Sequence, residues 1–242
     1  MSAPRFFCAT AFAAGQTVTL PADVFHHAIR VRRLRAGDAL VLFSGDGLEA
    51  AGTLAAVDRD GAQAAIATVT AVDRESPLQV TLLQGLSAGD RMDYTLQKAV
   101  ELGVHVIVPV TAQRSVVKLD RDRADKRIAH WRQIVIGACE QSGRNRLPEV
   151  RPVTSLAAGL AAVSAARRFV LSFDGGARLR DIAAPDGPIA LLAGPEGGLT
   201  ADEERAARAA GFAPISLGPR VLRTETAGVA ALAAMQAVWG DG

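Results

Sequence analysis

The 242-residue sequence is poor in the residues that would commit it to several common chemistries. It has two cysteines, Cys8 and Cys139, and no group of His, Cys, Asp and Glu at ligand spacing, so no metal is expected. A lone pair of cysteines so far apart reads as free thiols in a reducing compartment, which favours the cytoplasm. The N-terminal MSAPRFFCATAF lacks a basic start followed by a sustained apolar run, and no apolar segment approaches membrane-spanning length. Neither a secretory signal nor a membrane partner is therefore expected. Net charge is only +2, so any polyanionic partner has to be argued from where the charge sits. Repeats and low-complexity segments are also missing, apart from an alanine richness that favours helices. What remains, at 49% hydrophobic residues, is a globular chain able to bury one large core or two smaller ones.

Residues 1–72 read as a small β-rich domain. A helix is expected over Asp23 to Leu34, then apolar runs at Ala39 to Phe43, Ala50 to Val57 and Ala62 to Val69, parted by the turn signals SGDG and DRDG. A charged linker with a proline, residues 73–77, follows. From residue 78 to 242 strands alternate with helices, which argues for an α/β domain with a parallel sheet covered on both faces. Its expected strands are Val80 to Gly85, Val104 to Val110, Phe169 to Phe173, Ile189 to Ala193 and Pro214 to Leu217. Its expected helices are Arg91 to Leu102, Arg123 to Ser142, Ala201 to Ala210 and Thr226 to Trp239.

Two glycine loops follow two consecutive strands. LLAGPEGGLT, Leu191 to Thr200, passes from strand to helix, with Thr200 as N-cap and Glu203 completing a capping box. Gly194, Gly197 and Gly198 would let a ligand approach the backbone. Downstream comes GPRVLRTETAG, Gly218 to Gly228. In a parallel sheet both loops would emerge at one edge.

The basic residues are clustered. Arg30, Arg32, Arg33 and Arg35 fall within HHAIRVRRLRAGD with only Asp38 opposing them, a spacing that repels itself unless an anion such as an RNA backbone is near. A second run holds Arg114, Lys118, Arg121, Arg123, Lys126, Arg127, Arg132, Arg144 and Arg146, with Asp120, Asp122 and Asp125 interspersed. Within it EQSGRNRLPEV gathers polar groups around a glycine at a helix end, a capping arrangement or the rim of a pocket. Both segments are expected to touch RNA. His26 and His27 read as packing or RNA-contact residues, Trp131 and Trp239 as core or dimer-interface residues, and Cys139 as a buried small residue.

QGLSAGDRMDYTLQKAVELGV, EQSGRNRLPEV, LLAGPEGGLTADE and SLGPRVLRTETAGVAAL together resemble the RsmE family of small-subunit ribosomal RNA methyltransferases, in the SPOUT superfamily. The resemblance extends over essentially the whole chain, including PRFF at Pro4 to Phe7 and Lys98 of QKAVELG. It implies a PUA-like β-barrel RNA-binding domain followed by an α/β methyltransferase domain with a C-terminal trefoil knot. It also implies a homodimer, S-adenosyl-L-methionine as methyl donor, and as acceptor N3 of a uridine in the decoding region of 16S rRNA in the small subunit. Carried over by residue, Leu192, Ala193, Gly194, Pro195, Glu196, Gly197, Leu217, Gly218, Val221, Leu222, Thr224 and Thr226 would hold the cofactor. Arg30, Arg32, Arg33, Arg144 and Asn145 would meet the RNA.

Such an acceptor defines what a site must supply. Uracil N3 is a poor nucleophile until its proton leaves, and the anion spreads onto O2 and O4, so a base and a cation are needed close together. LRTETA offers Arg223 to stabilise the anion and Glu225 as the base or as the residue orienting Arg223. Its threonines would bind cofactor or cap the last helix, with Thr224 or Thr226 as N-cap. Glu196 either fixes its loop through backbone N–H groups or meets substrate or sulfonium. The same motifs would also serve a related enzyme acting on another RNA site, or an RNA-binding assembly factor that no longer methylates.

Overall fold

The structure, a computed structural model, describes residues 3–117, 121–173 and 175–242. Lys118 and Asp120 of the second basic run, and the side chain of Arg121, lie outside the described residues. Two compact units make up the chain: residues up to Glu75 together with Cys139–Leu147, and Ser76–Ala138 together with Pro148–Gly242.

The first unit is built on five strands, β1 (Arg5–Phe7), β2 (Thr17–Thr19), β3 (Ala39–Phe43), β4 (Leu48–Val57) and β5 (Ala62–Ala71). They form one sheet in the order β1-β3-β4-β5-β2, antiparallel except for β1 against β3. The period-two alternation puts Leu40 and Leu42 of β3, Ala50 and Leu54 of β4, and Ala64 and Ile66 of β5 into one apolar core with Phe6. The DRDG turn closes because Asp58 Oδ1 accepts from the amides of Asp60 and Gly61 at 2.9 and 2.7 Å.

The helix expected to reach Leu34 is shorter and differently wound. A four-residue α1 (Ala22–Phe25) passes into a π-helix, His26–Val31. The Arg32 amide bonds the His27 carbonyl at 2.9 Å and the Leu34 amide bonds the Ala28 carbonyl at 3.0 Å. Between them Arg33 takes φ 59°, the left-handed conformation that a glycine normally supplies past a helix end. The next glycine is Gly37, so the sequence carries no mark where the helix stops.

Arg144 and Asn145, expected at an RNA surface, are buried instead, at 4% and 1% exposure. Arg144 Nε donates to Glu75 Oε2 at 3.0 Å, and its Nη2 reaches the same oxygen. Asn145 Nδ2 donates to Val72 O at 3.0 Å and to Glu49 Oε2 at 3.1 Å, while its Oδ1 accepts from Arg5. Glu49 Oε2 further accepts from Arg5 Nη1 at 2.8 Å and Arg74 Nη1 at 3.0 Å. The carboxylates that claim these two residues lie 69 and 96 positions earlier in the chain, beyond the reach of local pattern. Cys139 is fully buried, and burial pushes its thiol up to about 12, so it packs and does not react.

The second unit has seven strands: β6 (Val80–Gly85), β7 (Val106–Thr111), β8 (Glu149–Val150), β9 (Thr154–Ser155), β10 (Arg167–Leu171), β11 (Ile189–Ala193) and β12 (Ala213–Ile215). All their pairings are parallel, in the order β12-β10-β11-β6-β7-β8, with β9 also on β7. The central β11, IALLA, is buried at every position, as a strand covered on both faces must be. Connecting helices are α2 (Gly89–Glu101), α3 (Arg121–Ser142), α4 (Leu156–Ala162), α5 (Ala201–Ala209) and the closing α6 (Thr224–Trp239). Leu96, Ala99 and Val100 of α2 face the core, as their spacing implies. Trp131 is buried, and Trp239 stacks on Phe169 with ring centroids 5.8 Å apart.

Because the sheet is parallel, the C-terminal ends of its strands lie along one edge. The two glycine loops leave β11 and β12, and β10 lies between those strands.

The Glu49 cluster makes stability depend on acid. Burial alone would raise this carboxyl, but hydrogen bonds from Arg74, Arg5 and Asn145 outweigh it and bring it down from the ordinary carboxylate range to about 2. A lowered folded-state value means that its stabilisation is complete above the unfolded value and is lost as pH falls towards 2. Glu49→Gln should cost about 1–3 kcal/mol at neutral pH, with the gap from wild type closing between about pH 4.5 and 2 in thermal melts.

Candidate active site

A cleft of about 470 Å³ opens at the C-terminal edge of the parallel sheet. Five strand ends contribute: Arg91 from the first turn of α2 after β6, Arg114 after β7, Leu171 and Phe173 from β10, residues 194–199 after β11, and residues 221–225 after β12. Both glycine loops are thus brought together, with the end of β10 between them. A shallow hollow of about 40 Å³, lined by Ser172, Leu217, Gly218 and Arg220, shares Leu171, Phe173, Leu222 and Ala227 with the main cleft.

The glycines of GPEGG do a different task from the one expected. A Cβ on Gly194 would crowd Leu199 at 3.3 Å and one on Gly197 would meet Arg114 Cβ at 2.8 Å, so both clear room for the protein rather than for a ligand. Gly198 sits at φ +69° facing open space, a conformational requirement. Arg114 clasps the loop from outside, its Nη1 donating to the carbonyls of Gly197 and Leu199 at 3.2 and 3.3 Å. The expected capping box is present, with the Thr200 amide on Glu203 Oε2 at 2.9 Å and the Glu203 amide on Thr200 Oγ1 at 3.2 Å. Glu203 Oε1 also accepts from the Gln113 amide at 2.7 Å, a second tie from the β7 end.

The second loop is fastened to the first through Thr224. Its hydroxyl donates to Gly194 O at 2.7 Å and accepts from the Nε2 of the fully buried Gln84 at 3.2 Å. Capping therefore falls elsewhere than expected: the N-cap of α6 is Arg223, with no side-chain cap bond, and Thr224 is the first helical residue. Both threonine capping assignments are corrected by this, since the Thr224 hydroxyl is committed to the neighbouring loop and Thr226 lies inside the helix.

The ionic groups of the cleft are three arginines and three glutamates among the described residues. Glu196 Oε1 accepts from the Ala88 amide at 2.8 Å and from Arg91 Nη1 at 3.3 Å. Arg91 Nε stands 4.0 Å from Glu225 Oε1. The second oxygens of Glu196 and Glu225 are both shut off from water and reached by no donor among the described residues. Glu225 lies in the first turn of α6, at the positive end of the helix dipole. Arg223 is exposed, and its side chain has no hydrogen bond or ion pair among the described residues.

Of the candidate residues, Gly194, Pro195, Glu196, Gly197, Val221, Leu222, Arg223, Thr224 and Glu225 line the cleft. Leu217 and Gly218 line the adjoining hollow. Leu192 and Ala193 are buried in β11 and carry the loop without facing it, and Thr226 is exposed outside the lining. Lys98 is spent on Glu101 at 2.8 Å, away from the cleft. Arg30, Arg32 and Arg33 are exposed on the first unit. Arg91, Gln84 and the role of Arg114 as a clasp were missed. Their one legible signal is position, since each sits at or just past the end of a strand that feeds the same edge.

Residues 74–236 match the RNA methyltransferase domain family, and residues 20–67 match the RNA methyltransferase PUA domain. The ribosomal RNA small subunit methyltransferase E of Bacillus subtilis is 37% identical over 229 residues, covering 90% of this chain and 89% of that one. The chain belongs to the ribosomal RNA small subunit methyltransferase E family. The Mycobacterium bovis member is 35% identical over 247 residues, with 97% and 92% of the two chains covered. Among solved structures, the Neisseria gonorrhoeae family member bound to S-adenosyl methionine superposes with a TM-score of 0.93 at 44% identity over 99% of both chains. A putative methyltransferase from Legionella pneumophila, in complex with the same cofactor, superposes at 0.96 with 38% identity over the full length of both. The expected α/β methyltransferase fold preceded by a PUA-like domain is borne out by these matches.

The family loops depend on the Gln84–Thr224–Gly194 bonds to hold their mutual position. Thr224→Val would take the hydroxyl donor from the Gly194 carbonyl and leave Gln84 Nε2 only its bond to Gly85 O at 3.1 Å, costing about 1–3 kcal/mol in urea unfolding. Affinity for S-adenosylhomocysteine should fall at least tenfold by calorimetry, whereas Thr224→Ser should keep both properties close to wild type.

Proposed function

We propose that this protein is an S-adenosyl-L-methionine-dependent methyltransferase acting on N3 of a uridine in the decoding region of 16S rRNA, within the small ribosomal subunit. The observation that carries the reading is the union of GPEGG and LRTETA at one sheet edge, where Arg223, without a side-chain partner among the described residues, shares the cleft with Glu196 and Glu225. The residues present fit the cofactor. The cleft volume lies in the range of small-molecule sites, and two carboxylates with unpaired buried oxygens suit a ligand that is cationic at sulfur and at its amine. When bound, that cofactor supplies a methyl group on a positively charged sulfur. Gly194, Pro195, Gly197, Val221, Leu222 and Thr224 would hold it, with Leu217 and Gly218 extending the site into the adjoining hollow.

The remaining work falls to this chain's own side chains. Glu225 or Glu196 takes the N3 proton, the electron pair left on the ring spreads to O2 and O4, and the Arg223 guanidinium faces that charge. Fixing these groups on strand ends and a helix start means that little reorganisation accompanies the charge shift.

RNA would be gripped by Arg30, Arg32 and Arg33, which crowd the exposed end of the π-helix with Val31 at 58% exposure among them. A left-handed arginine there is strain kept in place on an accessible surface, which supports a binding role. The reading includes a homodimer. It is supported by α6, whose only charged residue is Glu225 and which leaves Val238 44% exposed. It also includes the C-terminal trefoil knot, a division at residues 73–77 between the PUA-like and catalytic domains, and action in the cytoplasm. No helix among the described residues is long and apolar enough to cross a membrane.

The deciding experiment incubates the protein and labelled S-adenosyl-L-methionine with small subunits lacking the modification. Label should appear as 3-methyluridine at one decoding-region position that stops reverse transcription. Label in a different nucleoside would move the activity to another RNA site, and cofactor binding with no transfer to any rRNA would favour a non-catalytic assembly role. Arg223→Ala should slow transfer about 10²–10³-fold while S-adenosylhomocysteine affinity stays within about threefold. Arg33→Gly should keep or raise the melting temperature, since glycine relieves a conformation costing about 1–2 kcal/mol, yet weaken RNA binding and lower its salt slope by about one.

A further inference from the structure

Arg91 stands out once the cleft is set out group by group. It lies on the first turn of α2, and its guanidinium spans two carboxylates that come from different loops, Nη1 at 3.3 Å from Glu196 and Nε at 4.0 Å from Glu225. Its side chain is 43% exposed while theirs are 15% and 19% exposed, so one half-open cation serves two nearly enclosed anions. Each carboxylate keeps its second oxygen buried and without a donor among the described residues. Arg91 is thus the one cation that both carboxylates share among the described residues.

We propose that Arg91 is a positioning residue of the methyl-transfer site, holding Glu196 and Glu225 side by side as ionised groups so that one of them stays free to accept a proton. This rests on the methyltransferase reading above and deepens it. Glu196 has a second partner in the Ala88 amide, so its orientation survives loss of Arg91. Among the described residues Glu225 has only the longer contact to Arg91 and the α6 N-terminus. The arginine therefore matters more for Glu225, and its removal acts on protonation more than on loop shape. Other charged groups facing the pair are Arg114 after β7, Glu204 on α5 and Arg223 before α6. Arg114 is engaged on the carbonyls of Gly197 and Leu199, so it is not free to replace Arg91.

The sign of the effect follows. A carboxylate that loses a neighbouring cation becomes harder to ionise, and a base must be ionised to work. In Arg91→Gln the acid limb of the rate profile should move to higher pH.

The test is single-turnover methyl transfer to small ribosomal subunits across pH, for the full chain and for Arg91→Gln and Arg91→Lys, with S-adenosylhomocysteine titration and thermal melts alongside. We expect the Gln variant to melt near wild type, to bind S-adenosylhomocysteine within about threefold, and to show its acid limb displaced upward by about one pH unit, so that rates on that limb fall by up to about tenfold. Lys, which restores a charge without the planar fork, should bring the limb most of the way back. A Gln variant whose limb stays at the wild-type pH overturns the proposal, whether its rate is intact or reduced at every pH alike. Parallel loss of cofactor affinity and rate also overturns it, since Arg91 would then shape the cofactor loop. Wild type that transfers no methyl group to rRNA at any pH sinks the methyltransferase reading itself, an outcome distinct from an unmoved limb in an active enzyme.

Discussion

The bond from the Ala88 amide to Glu196 is the interaction on which the cleft depends. It ties the segment between β6 and α2 to the middle of GPEGG, 108 residues later in the chain. Close passage of the same two segments leaves Gly85 no room for a side chain, since a Cβ there would stand 2.3 Å from Pro195 N. Arg114 fixes the far side of the loop and Thr224 fixes its start, so a glycine-rich segment that would otherwise sample many conformations is held from three strand ends. Preorganisation here comes from neighbouring loops binding one another's backbone, with little help from the loop's own sequence.

That arrangement explains what could be read in advance. Alternation of strands and helices was legible because a parallel sheet covered on both faces demands long apolar runs, and β6 and β11 supply them. The capping box at Thr200 was legible because it closes within four residues. GPEGG and LRTETA were legible as a pair because both follow strands that share an edge. By contrast, the end of the helix near Arg33 was hidden: a left-handed arginine occupies a place where a glycine would have announced it. Arg144 and Asn145 were misplaced for a related reason. A polar cluster looks the same in sequence whether it faces RNA or a buried carboxylate, and Glu49 and Glu75 lie far upstream.

Arginine serves two opposite purposes in the first unit. Arg5, Arg74 and Arg144 are paired with Glu49 and Glu75 and join the Cys139–Leu147 segment to the strands. Arg30, Arg32, Arg33 and Arg35 are exposed at and just past the end of the π-helix, with no carboxylate at salt-bridge distance among the described residues. Net charge could not separate these uses, because the paired set cancels and the exposed set does not. A chain of nearly neutral composition can therefore still present a concentrated positive surface.

The cleft extends this separation of paired from unpaired charge to chemistry. Arg91 and Arg114 are engaged, one on carboxylates and one on carbonyls, while Arg223 has no side-chain partner among the described residues. An arginine already neutralised by a strong partner would gain little from a developing anion, because it would have to give up one interaction to make the other. Arg223 gives up only water. Its position as N-cap of α6 fixes its backbone beside Thr224, whose hydroxyl is anchored to the opposite loop. The side chain with most freedom in the cleft thus stands on one of its least free backbones, which directs charge to one place without spending it beforehand.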